Sequence, residues 1–145
     1  MESPMNTKPI ITELDASRLR ARARMATARP QYSAALARFL SAADVVPAAR
    51  FPADAISMFT TFCCVDLSRH QRMVWTISYP EEADFSLGRI CVFSPLGIAF
   101  LGTRRGGVSE CRPALEISLR FIVQDILFQP ESAGVPELNR CRSCH

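Results

Sequence analysis

Residues 94–102 read Ser-Pro-Leu-Gly-Ile-Ala-Phe-Leu-Gly, and this stretch decides the fold. The opening Ser-Pro pair is typical of a helix start, because serine caps free amides and proline lacks the N–H that a first turn leaves unpaired. Leu96, Ala99 and Phe100 fall at i, i+3 and i+4, which predicts one apolar helical face. Gly102 then supplies the left-handed residue that ends such a helix. A helix this short is unstable alone in water, so we expect it to lie on a sheet.

The bulk composition is that of a globular protein. The chain has 145 residues, of which 48% are hydrophobic and 21% charged, with a formal net charge of +3. This length fits one ordinary domain with an appendage. No apolar run approaches the roughly 20 residues that span a bilayer. Residues 1–13 contain no apolar signal core. We therefore expect a cytoplasmic protein without a membrane partner.

Prolines and changes in hydrophobic period divide the chain into four parts. They are a flexible tail over 1–12, a short coiled-coil-like helical hairpin over 13–46, an α+β domain over 53–130 and a C-terminal tail over 131–145. In the hairpin, Asp15 is the predicted N-cap of a helix over 16–28. A second helix is predicted over 31–44, since Leu36, Phe39 and Leu40 lie on one helical face.

The domain reads as five strands with the helix of residues 94–102 between the third and the fourth. The predicted strands cover 56–65, 73–79, 88–93, 108–112 and 115–128, the last being long enough to need a bulge. This order predicts the fold class α+β, with a small antiparallel sheet and one short helix on one face.

Basic residues are concentrated in the first helix. Residues 16–40 contain six arginines and no Asp or Glu. On a helix, the i, i+2 spacing of the first four spreads charge around the cylinder. Two readings stay open: a solvated helix surface, or contact with an acidic protein surface or with nucleic-acid phosphates. The candidate electrostatic contacts are Arg18, Arg22 and Arg29.

The remaining polar clusters do not indicate catalysis. Glu81, Glu82 and Asp84 would be conceivable metal ligands, but a polar loop explains them better. Cys141, Cys144 and His145 offer only three local ligands for zinc, so a terminal tail is the simpler reading. No Ser or Cys stands in a nucleophile context with His70. We expect no catalytic residue, no metal site and no cofactor.

Several motifs in order resemble a known family. Residues 79–84 (Tyr-Pro-Glu-Glu-Ala-Asp), 88–90 (Gly-Arg-Ile) and 94–102 resemble the C-terminal domain of the bacterial Gre transcript-cleavage factors, the GreA/GreB superfamily. Residues 11–19 and 128–134 are similar to the start and finish of the regulator of nucleoside diphosphate kinase (Rnk) family within that superfamily.

The resemblance implies an FKBP-like domain and a partner, RNA polymerase. It implies docking at the rim of the polymerase secondary channel. Our hypothesis for this chain is that it competes with Gre factors there. The residues that it assigns to polymerase binding are those exposed in two turns: Ser94, Pro95, Leu96, Gly97, Glu82 and Asp84.

The sequence departs from the Gre pattern at the hairpin tip. Gre factors carry acidic residues there that help to hold a metal ion, for which carboxylates are suited. Residues 25–33 contain no Asp or Glu here but do contain Arg29, and arginine cannot ligate a cation. The hairpin is also short. We therefore expect a non-catalytic transcription regulator without transcript-cleavage stimulation. The alternatives are a Gre-like elongation or cleavage factor, and a module that binds DNA or RNA through the Arg-rich hairpin.

Overall fold

The computed structural model describes residues 8–24, 30–114 and 116–134. Within these ranges the chain forms three α-helices and seven strands. The helices are α1 (Glu13–Ala23), α2 (Pro30–Ala42) and α3 (Pro95–Phe100). The strands are β1 (Ile10–Thr12), β2 (Asp44–Val46), β3 (Thr61–Asp66), β4 (Gln71–Ser78), β5 (Arg89–Cys91), β6 (Val108–Ala114) and β7 (Ile117–Phe128). No helix in this described part of the chain is long and apolar enough to cross a membrane.

A five-stranded sheet in the order β5-β4-β3-β7-β6 forms the core of the α+β domain. The sheet is mixed, because β5 pairs with β4 in parallel while the other pairs are antiparallel. The expectation of a purely antiparallel sheet was therefore wrong. Two short 3-10 turns, Pro80–Glu82 and Phe85–Leu87, return the chain to the level of Thr76, so that β5 runs beside the end of β4 in the same direction.

The predicted irregularity of the last strand is confirmed. Along β3 the partners on β7 skip Leu127 and then Gln124, so β7 carries an extra residue at two points. Each extra residue increases the local twist of a strand. A twelve-residue strand can thereby stay paired along its length.

Helix α3 covers one face of the sheet, as predicted. Phe100 is fully buried, with its ring centroid 4.8 Å from Phe62, 5.3 Å from Phe121 and 5.9 Å from Trp75. Burying one such aromatic side chain stabilises a fold by roughly 1.5–3 kcal/mol. This aromatic cluster holds the short helix in place where its own hydrogen bonds would not.

Helix α1 begins three residues earlier than the capping pattern predicts. Thr12 is the N-cap, and its Oγ1 accepts a hydrogen bond from the Asp15 backbone N–H at 3.0 Å. Asp15 is instead a buried residue of the first turn, and its carboxylate accepts a hydrogen bond from the Met58 backbone N–H at 3.1 Å. A tertiary contact with the domain has replaced the local capping role.

The two N-terminal helices lie between strands that pair with each other. β1 precedes α1, β2 follows α2, and the two strands are parallel partners with Ile11 opposite Val45. The antiparallel hairpin and the FKBP-like character of the domain stay predictions. Residues 25–29, which include Arg29, and the tail that holds Cys141, Cys144 and His145 lie outside the described residues.

Candidate partner-binding groove

An open groove of about 410 Å³ lies between the start of α3 and the strands β5, β6 and β7. Four of the predicted partner-binding residues, Asp84, Ser94, Pro95 and Leu96, line it together. The other lining residues are largely apolar: Ala83, Phe85, Arg89, Ile90, Cys91, Cys111 and Leu119. The fold thus brings two separate sequence motifs to one surface feature.

Ser94 shapes one wall of the groove by starting α3. Its Oγ accepts a hydrogen bond from the Gly97 N–H at 3.1 Å and donates one to the Cys91 carbonyl at 2.7 Å. These two bonds join the helix start to β5. The hydroxyl is therefore a structural group, and Pro95 and Leu96 are the residues that α3 presents to the groove.

Gly97 allows α3 to approach β5 closely. A Cβ at this position would lie 2.1 Å from the Cys91 carbonyl oxygen, far inside van der Waals contact. Gly97 is buried and is not among the lining residues. Its predicted role as a direct partner contact is therefore replaced by a packing role.

The opposite wall is a tight turn that exposes aromatic and aliphatic surface. Asp84 caps the turn, since its Oδ1 accepts hydrogen bonds from the Ser86 N–H at 3.1 Å and the Ser86 hydroxyl at 2.6 Å. Phe85 and Leu87 on this turn are 65% and 63% exposed. The Phe85 ring lies 5.8 Å from Trp75, which holds it at the groove. Large exposed apolar side chains beside a groove are typical of interaction surfaces.

Sequence reasoning missed Phe85 and Leu87. A signal was present, because both stand in the segment Pro80–Leu87, which the sequence predicts to be an acidic loop. Apolar residues in a loop do not belong to the buried face of a strand or helix, so they can indicate an exposed binding surface. Their exposure follows from the 3-10 turn, whose formation depends on Asp84 and on Gly88 with a φ of +79°.

The acidic residues before the groove, Glu81 and Glu82, differ in their surroundings. Glu81 is paired with Arg22 through two short bonds, Nη1–Oε1 at 2.7 Å and Nη2–Oε2 at 2.6 Å. Glu82 is half-buried in the same turn and does not line the groove. Across residues 8–24, 30–114 and 116–134, no three His, Cys, Asp or Glu side chains are grouped so that they could hold a metal ion.

The arginines of α1 differ in their surroundings. The Arg22 guanidinium is engaged inside the molecule, so its predicted role as a contact for an external anion is revised. Arg18 is half-buried and lies near Asp15 and Tyr79. Burial raises the pKa values of both residues, and the charge of Arg18 lowers them by a smaller amount. Arg20 and Arg24 line a separate cleft against α2.

The fold and the groove define a small α+β domain that carries an N-terminal pair of helices. The family model for the C-terminal domain of the transcription elongation factors GreA and GreB matches residues 51–124, about half of the chain. The chain belongs to this family.

Individual relatives agree with this assignment. The chain is 34% identical over 71 residues to the transcription elongation factor GreA of Bradyrhizobium diazoefficiens, covering 49% of this chain and 45% of that protein. It is 34% identical over 77 residues to GreA of Chloroherpeton thalassium, covering 53% and 49%. The chain therefore spans about half the length of the curated relatives that it matches.

A solved structure extends the likeness beyond the domain. The chain is similar to a prokaryotic transcription elongation factor GreA/GreB from Nitrosomonas europaea, with a TM-score of 0.69 and 26% identity. The match covers 85% of this chain and 100% of that one. The likeness in fold therefore includes more of the chain than the family model does. Membership of the Rnk branch stays a prediction.

Proposed function

We propose that the chain is a non-enzymatic transcription regulator that binds RNA polymerase near the secondary channel and acts in the cytoplasm without a cofactor. The observation that carries the proposal is the groove, where the family-signature residues Asp84, Ser94, Pro95 and Leu96 meet the exposed Phe85. Family membership supports the choice of a transcription complex as the partner.

The chemistry of the groove suits a protein partner. Its lining is mostly apolar, and the charged side chains of Asp84 and Arg89 stand on neighbouring chain segments. Aromatic side chains that become buried in pockets of an interface often carry a large share of the binding energy. A polymerase surface that offers an apolar side chain between charged residues would fit both features.

The absence of carboxylates at residues 25–33 supports a regulator that does not stimulate transcript cleavage. Stabilising a catalytic Mg²⁺ needs hard oxygen ligands, and this segment offers no carboxylate for the task. Occupying the same site on the polymerase would be enough to displace a Gre factor. The proposed activity is therefore competition.

Binding of the full chain to core polymerase tests the groove. The chain is labelled at its N-terminal amine, and its fluorescence anisotropy is followed during titration with polymerase. Phe85→Ser should raise the Kd by at least ~10-fold, because an anchor side chain is removed from the interface. Leu127→Ser is the matched control, since Leu127 is 51% exposed but lies outside the groove lining.

Two results would contradict the proposal. One is the lack of saturable binding by the unaltered chain. The other is an equal effect of Phe85→Ser and Leu127→Ser. If the chain instead binds nucleic acid without polymerase, with an affinity that falls steeply as salt rises, the Arg-rich helix is the functional surface.

A further inference from the structure

We propose that Arg22, Glu81 and Tyr79 form a clamp that fixes the direction of the α1–α2 helix pair relative to the groove, which makes Arg22 a positioning residue. The inference concerns contacts inside this chain and rests on the proposed function only for its consequence at polymerase. None of the predicted partner contacts includes Glu81 or Tyr79.

The geometry of the clamp requires an arginine at position 22. The guanidinium forms a bidentate pair with Glu81, at 2.7 Å and 2.6 Å, and its central carbon lies 3.8 Å from the centroid of the Tyr79 ring. Planar, two-pronged pairing and stacking on an aromatic face are both properties that lysine lacks. The Arg22 side chain is 32% exposed, so water and salt screen it only in part.

The clamp lies at the far end of the contact between α1 and the domain. Asp15 bonds to Met58 in the first turn, Leu19 is fully buried in the core, and Arg22 follows near the last turn. Positions 15, 19 and 22 follow the i, i+4, i+7 spacing of one helical face. Within residues 8–24, Arg22 is the last residue for which a hydrogen bond to the domain is observed.

On the domain side the clamp and the groove share one short segment. Glu81 belongs to the turn Pro80–Glu82, and Ala83 and Asp84 of the groove follow directly. The Ala83 N–H donates to the Pro80 carbonyl, and Asp84 exchanges two backbone hydrogen bonds with Arg89. The turn is thus held at both ends. A helix direction fixed at Glu81 is therefore fixed relative to a partner seated in the groove.

A fixed direction has a functional consequence. A partner held in the groove would meet the helix pair at one angle only, so the helices would occupy the same part of the partner in every complex. Without the clamp, Asp15 and Leu19 still attach the first half of α1, and α2 still packs on α3 and on the core through Leu36. The second half of α1 loses its hydrogen bonds to the domain, and we expect the direction of the helix pair to vary more widely. Binding through the groove would then survive while steric exclusion of a competitor would weaken.

Residual dipolar couplings of the ¹⁵N-labelled full chain test the clamp without any partner. In the unaltered chain, amides of α1, α2 and the sheet should fit one alignment tensor. In Arg22→Ala, couplings of the helix pair should shrink relative to those of the sheet. Arg22→Lys should behave like Arg22→Ala, because charge alone does not restore the paired and stacked geometry.

Arg20→Ala is the matched control, since it removes an exposed arginine of the same helix that lines the cleft between α1 and α2 and not the contact with Glu81 and Tyr79. Its couplings should match those of the unaltered chain. The proposal is overturned if the helix-pair couplings of Arg22→Ala still fit the sheet tensor. If Arg22→Ala disturbs the sheet itself, the dipolar couplings of Glu81→Gln provide the same test. This variant keeps the size of the side chain while removing its charge.

A competition assay separates this inference from the proposed function. Arg22→Ala should bind polymerase within about twofold of the unaltered chain, yet displace a Gre factor less well. Equal displacement would overturn the functional consequence of the clamp. Failure of the unaltered chain to bind polymerase would remove the proposed function, while the dipolar couplings would still decide whether the clamp exists.

Discussion

Gly97 shows how a single hydrogen atom can set the position of a helix. We expect Gly97→Ala to lower the free energy of unfolding by about 3 kcal/mol, the upper part of the range for overpacked sites. The new methyl group would lie 2.1 Å from a backbone oxygen of Cys91, which cannot rotate away as a side chain could. Urea unfolding followed by tryptophan fluorescence measures the change, since Trp75 lies in the core.

Gly106→Ala separates this clash from backbone strain. Gly106 has a φ of +87°, and a methyl group at this position would meet no atom within 4 Å, so only the left-handed backbone opposes alanine there. That strain costs roughly 1–2 kcal/mol. A Gly97→Ala variant as stable as Gly106→Ala would show that α3 moves freely on β5, contrary to the packing described above.

For single residues, contacts between neighbours in the sequence could be predicted, whereas contacts between residues far apart in the sequence could not. Ser94 as a helix cap follows from its neighbours, because capping involves residues three positions apart. The Arg22–Glu81 pair joins residues 59 positions apart. Residues 16–40 contain six arginines, and nothing in the sequence indicates which of them pairs with Glu81. Only the fold selects among them, by placing Arg22 on the face of α1 that meets the domain.

At the scale of the element, the docking of α1 should depend on pH through Asp15. Burial raises the pKa of the Asp15 carboxyl from 3.8 to about 7, with Glu131 acting in the same direction and the Met58 N–H and Arg18 acting against it. The folded chain therefore holds this proton more tightly than the unfolded chain does. The contribution of Asp15 to stability is fully present below about pH 4 and is lost as the pH rises through about 7.

Asp15→Asn should remove this pH dependence. Asparagine keeps an oxygen that can accept the Met58 hydrogen bond but has no proton to lose. The free energy of unfolding of the variant should exceed that of the unaltered chain at pH 8 by up to about 4 kcal/mol and match it near pH 4. Urea unfolding at both pH values measures the difference, and parallel pH profiles for the two chains would refute the prediction.

The elements themselves were predicted unevenly. Helix α3 and the long irregular β7 followed from capping residues and from length. The parallel pairing of β5 and the β1–β2 pair did not, because three-residue strands show no period and their direction depends on the path of the connecting chain. The N-cap of α1 was misplaced because Asp15 is used in a tertiary contact.

At the scale of the whole molecule, the chain should not stimulate transcript cleavage. We expect a saturating amount of it to leave the cleavage rate of a backtracked polymerase complex at the intrinsic value, because residues 25–33 contain no carboxylate. A GreA protein assayed beside it should raise the rate. Added to that GreA reaction, the chain should lower the rate in proportion to site occupancy. Stimulation by the chain alone would favour the cleavage-factor alternative.

The parallel pair β1–β2 joins the entry and the exit of the helix pair at one place. Ile10 of this pair donates a hydrogen bond to the carbonyl of Gly102, the glycine stop after α3. A Cβ at Gly102 would lie 2.9 Å from Pro9, so this glycine also admits the N-terminal strand. Both ends of the α1–α2 helix pair are thus attached to the domain beside α3. The length of the α1–α2 helix pair can therefore change in evolution without altering the place where the pair is attached to the domain.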